Sequence, residues 1–392
     1  MAGVEHPVRP NRPVLPFGVP NAQASFIDPT VHIRQGLRIT IGRLTYIAPY
    51  VNLDARGGGI TIGSSSAVLD NALLAPAAGQ VATELPIVRI GEATLIATGA
   101  SILGASTIGA VGPAAQPTYV GPNAVVESAT VEPGAFISAG ARVAQAIVIR
   151  AGVKVQPGAA VTTQGEADDP SLGKVTAVTA ADLALTRSLL AQSIGLTTGY
   201  TLLYQGNSST GPNPGTTVSG VFNGNLAAVS GASRNPARPA TPFPSTAPKF
   251  VGPHRPIVPA ALSLFRARVI GGVVFGQRAD AIASRVGRGV SIRADVGQPI
   301  RIGSIARMGN NVTIHAPQGG TLSIGSNLSA GERAAILGGP AATIGDNVTI
   351  GAGAVISGST VGSGAVVGDN AVLINTTILP GEVVPPGTVR VG

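Results

Sequence analysis

The sequence predicts an all-β solenoid: two parallel β-helices of six-residue repeats, separated by a flanking α-helix and a polar Pro/Gly-rich linker. Three observations predict it. Aliphatic residues recur every six positions in both halves of the chain. Glycine often follows the aliphatic position, as in Ile90-Gly91, Ile324-Gly325, Ile344-Gly345 and Ile350-Gly351. Aromatics make up only 3% of the chain and Trp is absent, so the core must be filled by Val, Ile, Leu and Ala. That suits a narrow, regular interior.

The period runs through Ile41, Ile47 and Leu53, then Ile62, Val68 and Leu74, then Ile90, Ile96, Ile102 and Ile108. It continues through Val125, Val131, Ile137, Val143, Ile149, Val155 and Val161. In the second half it passes through Ile302, Met308 and Ile314, then Ile324, Ala330 and Ile336, then Ile344, Ile350 and Ile356. A last run is Val355, Val361, Val367, Leu373 and Leu379. A helix repeats its apolar face about every 3.6 residues and a strand about every 2. Six fits a short strand plus a turn, with one aliphatic side chain pointing inward per side. Three sides make a coil of about 18 residues, and stacked coils bury one another's apolar faces. β-branched residues stack well in register, and Gly, Asn and Pro permit the corners.

The chain divides accordingly. Residues 1–24 are an N-terminal arm, 25–163 the first β-helix, 164–206 a flanking helix, 207–266 a linker and 267–392 the second β-helix. Thr179 to Gly206 reads as helix, opened by a Thr179/Asp182 capping pattern. Leu183, Leu185, Leu189, Leu190 and Ile194 give it an apolar stripe that packs along the first β-helix. Gly195 and Gly199 predict a kink or a second short helix. The linker carries recurrent Pro and no apolar period, with a short strand pair expected at Thr217 to Val229.

Composition excludes several classes. Cysteine is absent, so there are no disulfides or thiolate metal sites. Gly (54) has no three-residue period, which excludes collagen. The formal charge is +8, but the arginines are scattered and stacking aromatics are scarce. The surface therefore reads as soluble rather than nucleic-acid binding. No uncharged apolar run is long enough for a bilayer, and the N-terminus lacks an apolar leader. The expected compartment is the cytoplasm.

Two segments resemble a known family. Val290-Ser-Ile-Arg-Ala-Asp-Val-Gly-Gln-Pro-Ile-Arg-Ile-Gly303 is similar to the signature coil of γ-class carbonic anhydrases and their scaffold relatives. Tyr46 to Gly63 resembles the same coil less closely, with Asp54-Ala55-Arg56 in place of Arg293-Ala294-Asp295. The resemblance implies left-handed β-helices that assemble as trimers, with Arg293, Asp295, Asp54 and Arg56 at the subunit interface. It also implies a zinc site of three histidines, where the metal would lower the pKa of bound water for attack on carbon dioxide.

The ligand positions depart from that pattern. In unit 2 they fall on His315, Glu332 and Leu337; in unit 1 on Ala75, Ser128 and Pro133. His315 and Glu332 supply two zinc ligands at most. Gly309 and Val296 stand where the family has a hydroxide-orienting Gln and an acidic residue. The expectation is a non-catalytic, trimer-forming scaffold without a cofactor, with protein partners reached through the helix or linker. The alternatives are a hexapeptide acyltransferase, in which His32 or His315 would be the general base, and a divergent metal-dependent carbonic anhydrase centred on His315. His6 and His254 lie in Pro-rich segments and read as solvent-exposed.

Overall fold

A computed structural model describes residues 13–14, 25–28, 30–76, 86–109, 116–205, 262–264, 267–271, 273–277, 281–282, 284–294 and 300–392. The chain forms two compact units, one of Met1–Thr210 and Pro214–Pro236, the other of Gly211–Asn213 and Ala237–Gly392. The expected strand pair at 217–229 lies outside the described residues, as do most of the linker and most of the arm.

Unit 1 is a three-sided parallel solenoid. Each side is one sheet, and each column of inward residues is in register from coil to coil. The Ile41 sheet stacks Ile41, Ile62, Ile90, Ile108, Val131 and Ile149. The Ile47 sheet stacks Ile27, Ile47, Val68, Ile96, Val120, Ile137 and Val155. The Leu53 sheet stacks Ile33, Leu53, Leu74, Ile102, Val126, Val143 and Val161. All these side chains are buried. Burying each large aliphatic group stabilises the fold by about 1.5–3 kcal/mol before chain entropy is counted.

Unit 2 repeats the plan. Its Ile302 sheet stacks Phe275, Ile302, Ile324, Ile344, Val361 and Ile378. Its Met308 sheet stacks Met308, Ala330, Ile350, Val367 and Val384. Its Ile314 sheet stacks Val269, Ile292, Ile314, Ile336, Ile356 and Leu373. Corners turn through left-handed residues, among them Asn311, Asn327, Asn347 and Asn370, a conformation Asn tolerates better than most residues. Asn327 Nδ2 donates to Asn347 Oδ1 across 2.9 Å, tying one corner to the next.

Three details differ from the strict six-residue reading. Val126, not Val125, occupies the core column, and Ile356, not Val355, does so in unit 2. Ile378 is buried whereas Leu379 is 64% exposed. The cause is a shortened side: Leu373 to Ile378 is five residues, so the closing coils hold 17 (Val361↔Ile378).

Short elements close the solenoid ends. Strand Pro13–Val14 of the arm pairs antiparallel with Ser25–Ile27. At the far end of unit 1, helix α1 (Gln164–Asp168) starts at a Thr163/Glu166 capping box, and Val175–Ala177 pairs antiparallel with Val153–Val155. Unit 2 opens on Leu262–Leu264, antiparallel to Ala267–Gly271, so it begins inside the segment expected to be linker.

Helix α2 (Ala180–Gln205) runs without interruption through Gly195 and Gly199. Thr179 Oγ1 accepts from Asp182 N at 3.1 Å, and Thr179 N donates to Asp182 Oδ2 at 2.9 Å, so the expected cap is present. The helix packs on the outer side of the Ile47 sheet. There Phe26 stacks on Tyr46, and Tyr119 on Phe136 at 4.3 Å between ring centroids. Lys154 Nζ anchors the first turn through Asp182 Oδ1 at 2.7 Å. Tertiary packing on this apolar face outweighs the weak helix propensity of two glycines.

Candidate functional site

The coil singled out by sequence is built on strand Val290–Ala294. Ile292 points inward, so its neighbours Ser291 and Arg293 point outward. The next strand, Thr313–His315, sets His315 in register with Arg293. Arg293 is 1% exposed and His315 6% exposed. Arg293 Nη2 lies 3.4 Å from His315 Nε2. Burial, and then the Arg293 charge, hold the imidazole well below its ordinary pKa, so His315 is neutral near pH 7. Asp295 lies outside the described residues.

The following strand puts Leu337 beside His315 on the same outer column, and Ser357 beyond it. The column therefore reads Arg293, His315, Leu337, Ser357. Glu332 sits elsewhere, at the corner after strand Leu328–Ala330. Its Oε1 accepts from Asn310 Nδ2 at 2.7 Å. Among the described residues no contact joins Glu332 to His315, and no group of three or more His, Cys, Asp or Glu could hold a metal ion.

Unit 1 carries the matching coil with its charges exchanged. Asp54 follows the inward Leu53 on strand Asn52–Asp54. Arg56 grips it with Nε 2.9 Å from Oδ1 and Nη2 2.6 Å from Oδ2. Arg34, from the preceding coil, adds Nη1 at 3.4 Å. Burial alone would raise the Asp54 pKa, but the hydrogen bonds and charges of Arg56 and Arg34 outweigh it and leave it lowered. Asp54 thus stays ionised and bidentately held. Arg34 was not anticipated, because it is a neighbour only through the coil stacking that pairs it with Asp54.

The column after Asp54 holds Ala75 and then Leu103. Pro133, reached by counting from Gly121, is not the neighbour of Ala75. The count slips because Gly121 follows Val120 of the Ile47 sheet, whereas Gly63 and its counterpart one coil on, Gly91, follow Ile62 and Ile90 of the Ile41 sheet.

No family model matches the chain. No curated protein matches it. Among solved structures it is similar to a hexapeptide transferase family protein from Anaplasma phagocytophilum, at 18% identity over 48% of this chain and 98% of that one, with a TM-score of 0.23. The repeat pattern and the strand register together make this chain a hexapeptide-repeat β-helix protein in two units.

Proposed function

We propose that the chain is a non-catalytic structural protein of the γ-carbonic-anhydrase type, whose units serve assembly rather than carbon dioxide hydration. The observation that carries this reading is the column Arg293, His315, Leu337. A zinc centre of the family kind needs three donors around one point. Beside His315 stands a hydrocarbon on one side and a guanidinium 3.4 Å away on the other. A fixed cation so close opposes a divalent metal, and Glu332 is engaged by Asn310 instead. In unit 1 the corresponding column holds Ala75 and Leu103, neither of which ligates a metal.

The assembly surface in this reading is the outer side of the Leu53 sheet in unit 1. Leu73, Leu103 and Val125 are only half-buried there, and the Asp54–Arg56 pair lies on the same side. The resemblance supplies the left-handed, flat-faced section that would make three copies meet.

The test is solution mass by light scattering, with metal content by mass spectrometry, on protein purified without a His tag. The expected result is a mass of three chains without bound zinc, iron or cobalt, and a lower mass for Val125→Arg. Near-stoichiometric metal that disappears in His315→Ala would overturn the reading. Binding of an acyl-coenzyme without metal would replace it with an acyltransferase.

A further inference from the structure

An open groove of about 680 Å³ runs over the outer side of the Met308 sheet, crossing successive coils of unit 2. Its floor is one corner glycine per coil: Gly287, Gly309, Gly331 and Gly351. A Cβ on Gly309 would lie 2.7 Å from Glu332 N, and one on Gly331 would lie 2.5 Å from Ala352 N. The coils therefore meet backbone to backbone here, and no side chain fills the floor.

The walls carry opposite charges at opposite ends. The bridge Val286↔Met308 places Arg285 beside Arg307 on the next coil. Arg307 is in register with Ser329, and Ser329 with Thr349. Further along, the groove is lined by Asn310, Glu332 and Asp369. Adjacent coils are about 4.8 Å apart, so the two arginines are stacked like charges, an arrangement that is destabilising by itself. Among the described residues neither has a carboxylate partner. Arg285 is not loose, because its Nη1 donates to the Ile305 carbonyl at 3.1 Å. Among the described residues no further acceptor meets its remaining N–H donors.

We propose that this groove binds a phosphorylated, hydroxyl-rich small molecule such as a sugar phosphate. Its phosphate bridges Arg285 and Arg307 and takes a hydrogen bond from the Ser329 hydroxyl, in register with Arg307, while the Thr349 hydroxyl one coil further on meets the ligand's own hydroxyls. A phosphate dianion matches two stacked guanidiniums in charge and in donor geometry. The ligand's hydroxyls donate to Glu332 and Asp369, which are acceptors only. Those carboxylates also disfavour an extended polyanion, because a second phosphate along the groove would meet them.

The experiment is calorimetric titration of the full chain with inorganic phosphate and with a hexose phosphate, at low salt. One saturable site is expected, with the hexose phosphate about tenfold tighter. Arg307→Gln, at an exposed position, should weaken both by about tenfold or more. Glu332→Gln should remove the advantage of the hexose phosphate and leave inorganic phosphate unchanged. Arg301→Gln, exposed on the neighbouring Ile302 sheet, should change neither. Absence of saturable binding would overturn the proposal, as would equal losses in Arg301→Gln and Arg307→Gln or equal affinity for the two ligands.

Discussion

The last coil of unit 1 carries a helix and a strand, whereas the coil of unit 2 that holds Arg390 carries an ion pair. At the last coil of unit 1, α1 begins on its capping box, Lys174 Nζ reaches both the Ala160 carbonyl and Glu166, and Val175–Ala177 adds an antiparallel strand. At the last coil of unit 2 the inward column Ile314, Ile336, Ile356, Leu373 arrives at Arg390. Its guanidinium pairs with Glu382. Both devices address the same hazard, since a solenoid end exposes an apolar core and unpaired strand edges. One covers the last coil; the other places a charge in its inward column. The faces differ in the same way. Aromatics on the Ile47 sheet lie under α2 in unit 1, while the matching Met308 sheet of unit 2 carries Arg307, Ser329 and Thr349 and needs no cover.

The largest effect should come from the columns that the two units share. Leu74→Ala in unit 1 and Ile336→Ala in unit 2 each remove a fully buried side chain, at about 2–5 kcal/mol. If the units are separate cooperative bodies, calorimetry of the whole chain should resolve two transitions, and each substitution should lower only one. Parallel shifts of both transitions would erase the distinction drawn between the units.

These columns were also the most legible part of the sequence. An inward aliphatic residue every six positions is a steric requirement of each side, so it survives in the sequence wherever a side keeps its length. It misleads where a side shortens to five residues, as between Leu373 and Ile378 or between Val126 and Val131. The site was less legible for a related reason. Arg293 with His315 and Arg285 with Arg307 are each 22 residues apart, while Arg34 and Asp54 are 20 apart. Outer neighbours are separated by one coil length, and that length varies, so the charged pairs emerge only once the register is known. The resemblance located Arg293 and His315 but not Arg34, nor the arginine pair over the Met308 sheet.

Acid should separate the units next. His315 is neutral in the folded chain, while a free imidazole titrates near about 6.5. Below that pH the unfolded chain takes up a proton that the folded chain refuses, so stability falls as pH drops through about 6.5. In unit 1 the lowered groups are carboxylates, Asp54, Glu166, Asp168, Asp169 and Asp182, whose stabilisation is present above the free carboxylate values and is lost only below about 4.3. Between pH 7 and 5 the unit 2 transition should therefore fall while unit 1 stays level, by at most about 1.4 kcal/mol per pH unit for one proton. His315→Gln should flatten that slope. An unchanged slope in the variant would show that His315 is not the group responsible.

The smallest effects should lie at the two ends, and they should differ in kind. Thr163→Ala removes the side-chain acceptor that Glu166 N uses at 3.3 Å, and loss of such a cap costs about 0.5–2 kcal/mol. The unit 1 transition should fall by that amount, with no change in association. Arg390→Leu replaces a half-exposed ion pair, worth about 0–1 kcal/mol, with an aliphatic group that continues the core column. The unit 2 transition should stay within about 1 kcal/mol. What should change is behaviour with concentration: an apolar column then continues from Leu373 through position 390, beside Leu379 and Val383, which are already exposed. Sedimentation should show mass rising with protein concentration for Arg390→Leu and not for Thr163→Ala. If Arg390→Leu associates no more than the parent chain, the inward charge is not what keeps that end from stacking, and the exposed corner residues must be doing so instead.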